Sequence, residues 1–121
     1  MNKKILIVED EFPIGKALEI KLGKSGYIVE IADNGQEALN LLAINSYDLV
    51  LLDIMMPIID GWTVLQSIKD QGIQTKIIVT SNLSQDEDIA RAKSLGAVDF
   101  LVKSNESLQD IVSEVERVLI Q

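Results

Sequence analysis

The chain alternates between short apolar runs and longer stretches in which apolar residues recur every three or four positions. Ile5-Leu6-Ile7-Val8, Leu49-Val50-Leu51-Leu52 and Ile77-Ile78-Val79 are apolar without alternation, the pattern of strands buried on both faces. The first predicted strand is Lys4 to Val8. A helix follows, with Pro13 in its first turn and Ile14, Ala17, Leu18, Lys21 and Leu22 at helical spacing, stopped by Ser25-Gly26. Tyr27 to Ile31 is a second strand. Asn34-Gly35-Gln36-Glu37 reads as a capping box opening a helix with Ala38, Leu41 and Leu42 inward. The third strand runs to Asp53, and Pro57 with Asp60-Gly61 marks a loop before a helix carrying Val64, Leu65 and Ile68. Lys76 to Thr80 is a fourth strand. Ser84-Gln85-Asp86-Glu87 reads as another capping box, and Gly96 closes that helix after Leu95. Val98 to Val102 is a fifth strand, and Leu108, Ile111, Val112, Val115, Val118 and Leu119 line a last helix. Five strands and five helices in strict alternation specify an α/β fold, a parallel sheet covered on both faces, with residues 1–121 as one domain.

Composition narrows the function. Apolar residues make up 47% of the 121, enough for a real core. Nineteen acidic against 11 basic residues, a net charge of −8, argue against a nucleic-acid surface within the chain and suit a cation or a basic protein partner. Cysteine is absent, which removes disulfides and thiol chemistry. So is histidine, which removes the commonest general base and any internal phosphohistidine. The four apolar residues after Met1-Asn2-Lys3-Lys4 are too few for a signal peptide, and no run reaches the roughly 18 residues of a membrane span. A soluble cytoplasmic protein without membrane contact is the expectation.

The chemistry-bearing residues sit at strand ends: Glu9 and Asp10 after the first, Asp53 after the third, Thr80 and Ser81 after the fourth, Lys103 after the fifth. In a parallel sheet these ends share one edge, where open α/β sheets bind their ligands. Three carboxylates together repel, and a divalent cation relieves them; hard oxygen donors with room for water favour Mg²⁺. A lysine and a hydroxyl beside them suit the oxygens of a tetrahedral anion, so the set fits phosphoryl transfer to a carboxylate. Taken singly, each residue has a plainer role: a helix cap for Asp53, a solvated turn for Glu9-Asp10-Glu11, surface for Lys103, loop chemistry for Ser81. Their convergence on one edge is what favours a site.

Three segments carry a resemblance to a known family: Ile5-Leu6-Ile7-Val8-Glu9-Asp10; Leu51-Leu52-Asp53-Ile54-Met55-Met56-Pro57 with Asp60-Gly61; and Gly96-Ala97-Val98-Asp99-Phe100-Leu101-Val102-Lys103. In order and at family spacing, they make the whole chain resemble the CheY-like receiver domains of two-component response regulators. The resemblance implies a flavodoxin-like (βα)5 fold with strand order 2-1-3-4-5. It implies that Asp53 is the phosphoacceptor, that Asp10 touches Mg²⁺ (or Mn²⁺) directly and Glu9 through water, and that the backbone carbonyl of Met55 is a further metal ligand. Lys103 matches the lysine that contacts the phosphoryl group, Ser81 the switch hydroxyl and Phe100 the switch aromatic. The phosphodonor would be a histidine kinase or phosphotransfer protein acting in trans, and the output an unnamed protein meeting the fourth helix, fifth strand and fifth helix. Self-phosphorylation and autodephosphorylation are then the only chemistry expected.

The chain departs from the family pattern at three positions. Asn82 stands where alanine or glycine is usual and is expected to narrow access to Asp53. Ser104 stands where proline is usual, so a trans peptide after Lys103 is expected, with the lysine still aimed at Asp53. The first strand ends Glu-Asp rather than Asp-Asp. Phe100 as plain core and Met55 and Met56 as plain packing stay open, as do two other classes. A hydrolase with an aspartyl nucleophile would want a second acid where Met55 stands. A degenerate receiver acting only as a binding module would fail to bind Mg²⁺.

Overall fold

The computed structural model describes residues 2–120. The chain runs β1 (Lys4–Val8), α1 (Phe12–Lys24), β2 (Ile28–Ala32), α2 (Gly35–Ile44), β3 (Leu49–Asp53), α3 (Gly61–Asp70), β4 (Lys76–Ser81), α4 (Asp86–Ser94), β5 (Asp99–Val102), a 3₁₀ turn (Lys103–Asn105) and α5 (Leu108–Leu119). All pairings are parallel, and the strand order is β2-β1-β3-β4-β5. This is the flavodoxin-like order implied by the resemblance.

The unbroken apolar runs follow from burial on both faces. Side chains alternate along a strand. Leu6, Val8, Val50, Leu52, Ile77 and Val79 therefore point into one core, with Ala38, Leu42, Val64, Leu65, Ile68 and Ala92 from α2, α3 and α4. Ile5, Ile7, Leu49, Leu51 and Ile78 point into the other, against Leu18 and Leu22 of α1 and Ile111, Val112, Val115 and Val118 of α5. β3 is buried at every position, whereas the edge strands β2 and β5 are only partly covered.

Two of the local expectations change. Asn34 caps α2 through Oδ1, which accepts from Glu37 N–H at 2.8 Å, but the return bond of a capping box is not made. Ser84 caps nothing. α4 begins at Asp86, so its cap position falls on Gln85, whose side chain makes no cap bond. Asp86, Glu87 and Asp88 fill the first turn instead, where the helix dipole favours negative charge. A capping box not anticipated forms at α5: Ser107 Oγ accepts from Asp110 N–H, and Asp110 Oδ2 accepts from Ser107 N–H. Asp60 caps α3 by accepting from Thr63 N–H. Gly26 and Gly96 end α1 and α4 with φ of 96° and 106°, a region that favours glycine.

Candidate functional site

Asp53 lies at the carboxyl end of β3, paired with Thr80 of β4. β1 ends beside it, so Glu9 and Asp10 reach the same edge. Glu9, Asp10 and Asp53 offer carboxylate oxygens that all lie within 4.8 Å of one another. Asp53 and Glu9 are buried; Asp10 is exposed. Three hard oxygen donors at the mouth of a concave edge fit a small divalent cation such as Mg²⁺.

Lys103 binds into this cluster. Its Nζ is 2.7 Å from Glu9 Oε1, 3.2 Å from Asp53 Oδ2 and 3.9 Å from Glu11 Oε1. The described residues contain no cis peptide, so the lysine reaches Asp53 across a trans bond to Ser104, as expected. Lys103 also lines a largely apolar cavity of about 120 Å³, together with Ile7, Ile14, Leu18, Leu51 and Ile111 among others.

Burial sets the electrostatics. It pushes the Asp53 carboxyl up to about 7, helped by the negative charge of Glu9 and opposed by Lys103. Burial also pulls the Lys103 ammonium downward, but its bond to Glu9 and the charges of Asp53 and Glu9 outweigh this, and the net shift is upward. The pair therefore holds a lysine that stays charged beside a carboxyl that is easily protonated.

The other predicted residues fall around this centre. Ser81 is fully buried, and its Oγ accepts from Leu83 N–H at 3.1 Å. Phe100 is buried in the core beneath α4. The Met55 N–H donates to Asp53 Oδ1 at 3.3 Å, and its side chain is 61% exposed, so it does not pack. Met56 is the one that packs. Asn82 and Ser104, two of the departures, meet: Asn82 Oδ1 accepts from Ser104 N–H at 3.1 Å.

Two backbone features close the loop after Asp53. Gly61 N–H donates to Ile54 O at 2.8 Å, folding the loop back on the strand end. Ile58 sits at φ 70° with its side chain 81% exposed. A β-branched residue there costs about 1–2 kcal/mol. Ile58→Gly is expected to leave stability level or raise it by about 1 kcal/mol, measured by denaturant unfolding; a clear loss would show that the side chain contributes to the fold.

The family model described as the response regulator receiver domain matches residues 5–116. Among curated proteins, the transcriptional regulatory protein DltR of Streptococcus agalactiae is 38% identical over 104 residues, 86% of this chain and 46% of that protein. PcoR of Escherichia coli is 31% identical over 117 residues, 97% of this chain and 51% of that protein. The chain thus spans about half the length of these curated relatives. Among solved structures, the receiver domain of Francisella response regulator 1452 superposes with a TM-score of 0.91 at 30% identity, covering 98% of this chain and 97% of that one. TrrA of Thermotoga maritima, solved with Mg²⁺ and beryllofluoride, gives 0.81 at 34% identity, covering 97% and 98%.

Proposed function

The chain belongs to the family of response regulator receiver domains, and from that premise we propose that Asp53 is its phosphoacceptor and takes a phosphoryl group from a phosphohistidine of another protein. The observation that carries this reading is the pairing of a buried strand-end carboxylate, Asp53, with a partly buried lysine, Lys103, 3.2 Å away, beside a second buried acid, Glu9. One Asp53 oxygen attacks phosphorus, a P–O bond forms and the donor P–N bond breaks. The electron pair leaves with the imidazole, which is protonated as it departs. The donor histidine lies outside these 121 residues, which contain none. Lys103 Nζ then faces a phosphoryl oxygen instead of a bare carboxylate, and its charge balances that of the acyl phosphate.

Glu9, Asp10, Asp53 and the Met55 carbonyl would hold Mg²⁺. When bound, the ion supplies positive charge against the phosphoryl oxygens. Ser81 would leave the Leu83 N–H for the phosphoryl group, and Phe100, already inward, would track the β4–α4 loop. A shift there changes the α4-β5-α5 surface, where an output partner would read it. The aspartyl-hydrolase reading loses support, because position 55 is a methionine pointing to solvent rather than a second acid.

The test is incubation with acetyl phosphate, with Mg²⁺ present, followed by intact mass and peptide mapping. One added phosphoryl group on the peptide containing Asp53 is expected; label on another residue would overturn the assignment. Mg²⁺ is expected to raise the melting temperature of the wild type, since the unfolded chain has no assembled site. Asp10→Ala should remove most of that increase. An unchanged Mg²⁺ shift in this variant, read by differential scanning fluorimetry, would place the cation elsewhere.

A further inference from the structure

The β4–β5 ladder ends at the pair Ser81 and Val102. Beyond it the chains diverge, one toward α4 and the other into the 3₁₀ turn at Lys103–Asn105. They are joined again by one side chain, where Asn82 Oδ1 accepts from Ser104 N–H across a separation of 22 residues. We infer that Asn82 is a positioning residue, a clamp that ties the loop carrying Ser81 to the turn carrying Lys103 and resists the movement of either one alone.

Four contacts fix the ends of this clamp. Lys103 is anchored on Glu9 and Asp53. Glu106 N–H donates to Lys103 O at 3.3 Å and closes the turn that contains Ser104. On the other side, Ser81 Oγ is engaged by Leu83 N–H, so the hydroxyl belongs to a small hydrogen-bonded loop that includes Asn82. Because Lys103 is held and Ser104 adjoins it, Asn82 has a fixed point to pull against. Moving Ser81 toward Asp53 carries Asn82 with it and lengthens the bond to Ser104. The clamp therefore favours the resting arrangement, and a ligand that recruits Ser81 must break it. A bond present in one state and absent in the other biases the equilibrium by its own free energy. For one ordinary hydrogen bond that is about five-fold.

This inference rests on the proposed role of Ser81 and Lys103, and two measurements keep the two ideas separate. The first is exchange of the Ser104 amide in the free protein, followed by NMR. It should be protected in the wild type and in Ser104→Ala, which keeps the N–H, and lose protection about five-fold in Asn82→Ala. Equal protection in all three proteins would overturn the clamp. The second is affinity for beryllofluoride with Mg²⁺, a mimic of the phosphoryl group, in a double-mutant cycle of Asn82→Ala with Ser104→Pro, which removes the donor. Asn82→Ala should tighten binding about five-fold in the wild-type background and change nothing in Ser104→Pro. The same gain in both backgrounds would show that Asn82 acts by narrowing access to Asp53, and no gain in either would show that it acts on nothing at the site; each result overturns the clamp. If the wild type takes up no beryllofluoride, the proposed function fails, and the clamp is decided by the Ser104 amide alone.

Discussion

Asp53→Asn is expected to abolish phosphoryl uptake and to raise the stability of the metal-free protein, with a gain that grows with pH. The amide is nearly isosteric with the carboxylate but has no nucleophilic oxygen of comparable strength, so uptake from acetyl phosphate should fall to background. The stability effect follows from burial. Asp53 is buried beside Glu9, and its carboxyl is pushed from 3.8 up to about 7 in the fold. Between roughly those values the folded state holds a proton that the unfolded chain has released. Stability therefore falls as pH rises through this window. Below it, Asp53 is neutral in both states and the substitution changes little. Above it, the wild type carries a buried charge that asparagine lacks. Lys103 loses one partner in the variant but keeps Glu9 at 2.7 Å, which offsets part of the gain. The net is about 1–2 kcal/mol above pH 7. Thermal melts in a chelating buffer at acidic and alkaline pH check it. A gain that shrinks with rising pH would show that Asp53 is not the strained charge of the site, and uptake persisting in the variant would remove it as the acceptor.

The second large effect is expected from Gly61→Ala. A Cβ at this position would stand 2.3 Å from Asp53 O and 2.6 Å from Ile54 Cα, both backbone atoms that cannot rotate away. Either α3 retreats from the end of β3 or the strand end moves, and the second displaces Asp53 itself. Overpacking of this kind costs about 2–3 kcal/mol, or roughly 10 °C in melting temperature for a chain of this size. Phosphoryl uptake should fall with it, since a small displacement of an attacking group is expensive. Far-ultraviolet circular dichroism, a thermal melt and the acetyl phosphate assay on one preparation test both parts. Wild-type melting and uptake together would mean that the loop yields without disturbing the strand end.

The elements and their order could be read from the chain alone because each rests on local periodicity. The run Leu49–Leu52 ending at Asp53 is apolar at every position because β3 has a helix layer on each face, and no edge strand has that pattern. The gathering of Glu9, Asp10, Asp53 and Lys103 followed from one rule, that parallel strands end together. The strand order came only with the family resemblance, since alternation fixes parallel pairing but not which strand lies beside which. Cap chemistry was legible where side chain and helix start coincide, as at Asn34, and misleading at Ser84, where the helix starts one residue too late. What the tertiary structure alone decided are contacts between segments far apart in the chain. The path of the β3–α3 loop, not any local preference, forbids a side chain at Gly61, and the approach of Ile59 O to α2 forbids one at Gly35. Lys103 lies closer to Glu9 than to the aspartate at which its position aims it, because both acids surround one ammonium and the turn sets its reach. Asn82 and Ser104, separate oddities along the chain, become acceptor and donor of one bond only when β4 and β5 lie side by side. Periodicity records which face a residue presents to its own element. Distances across a sheet edge are set by backbone paths that no single segment encodes.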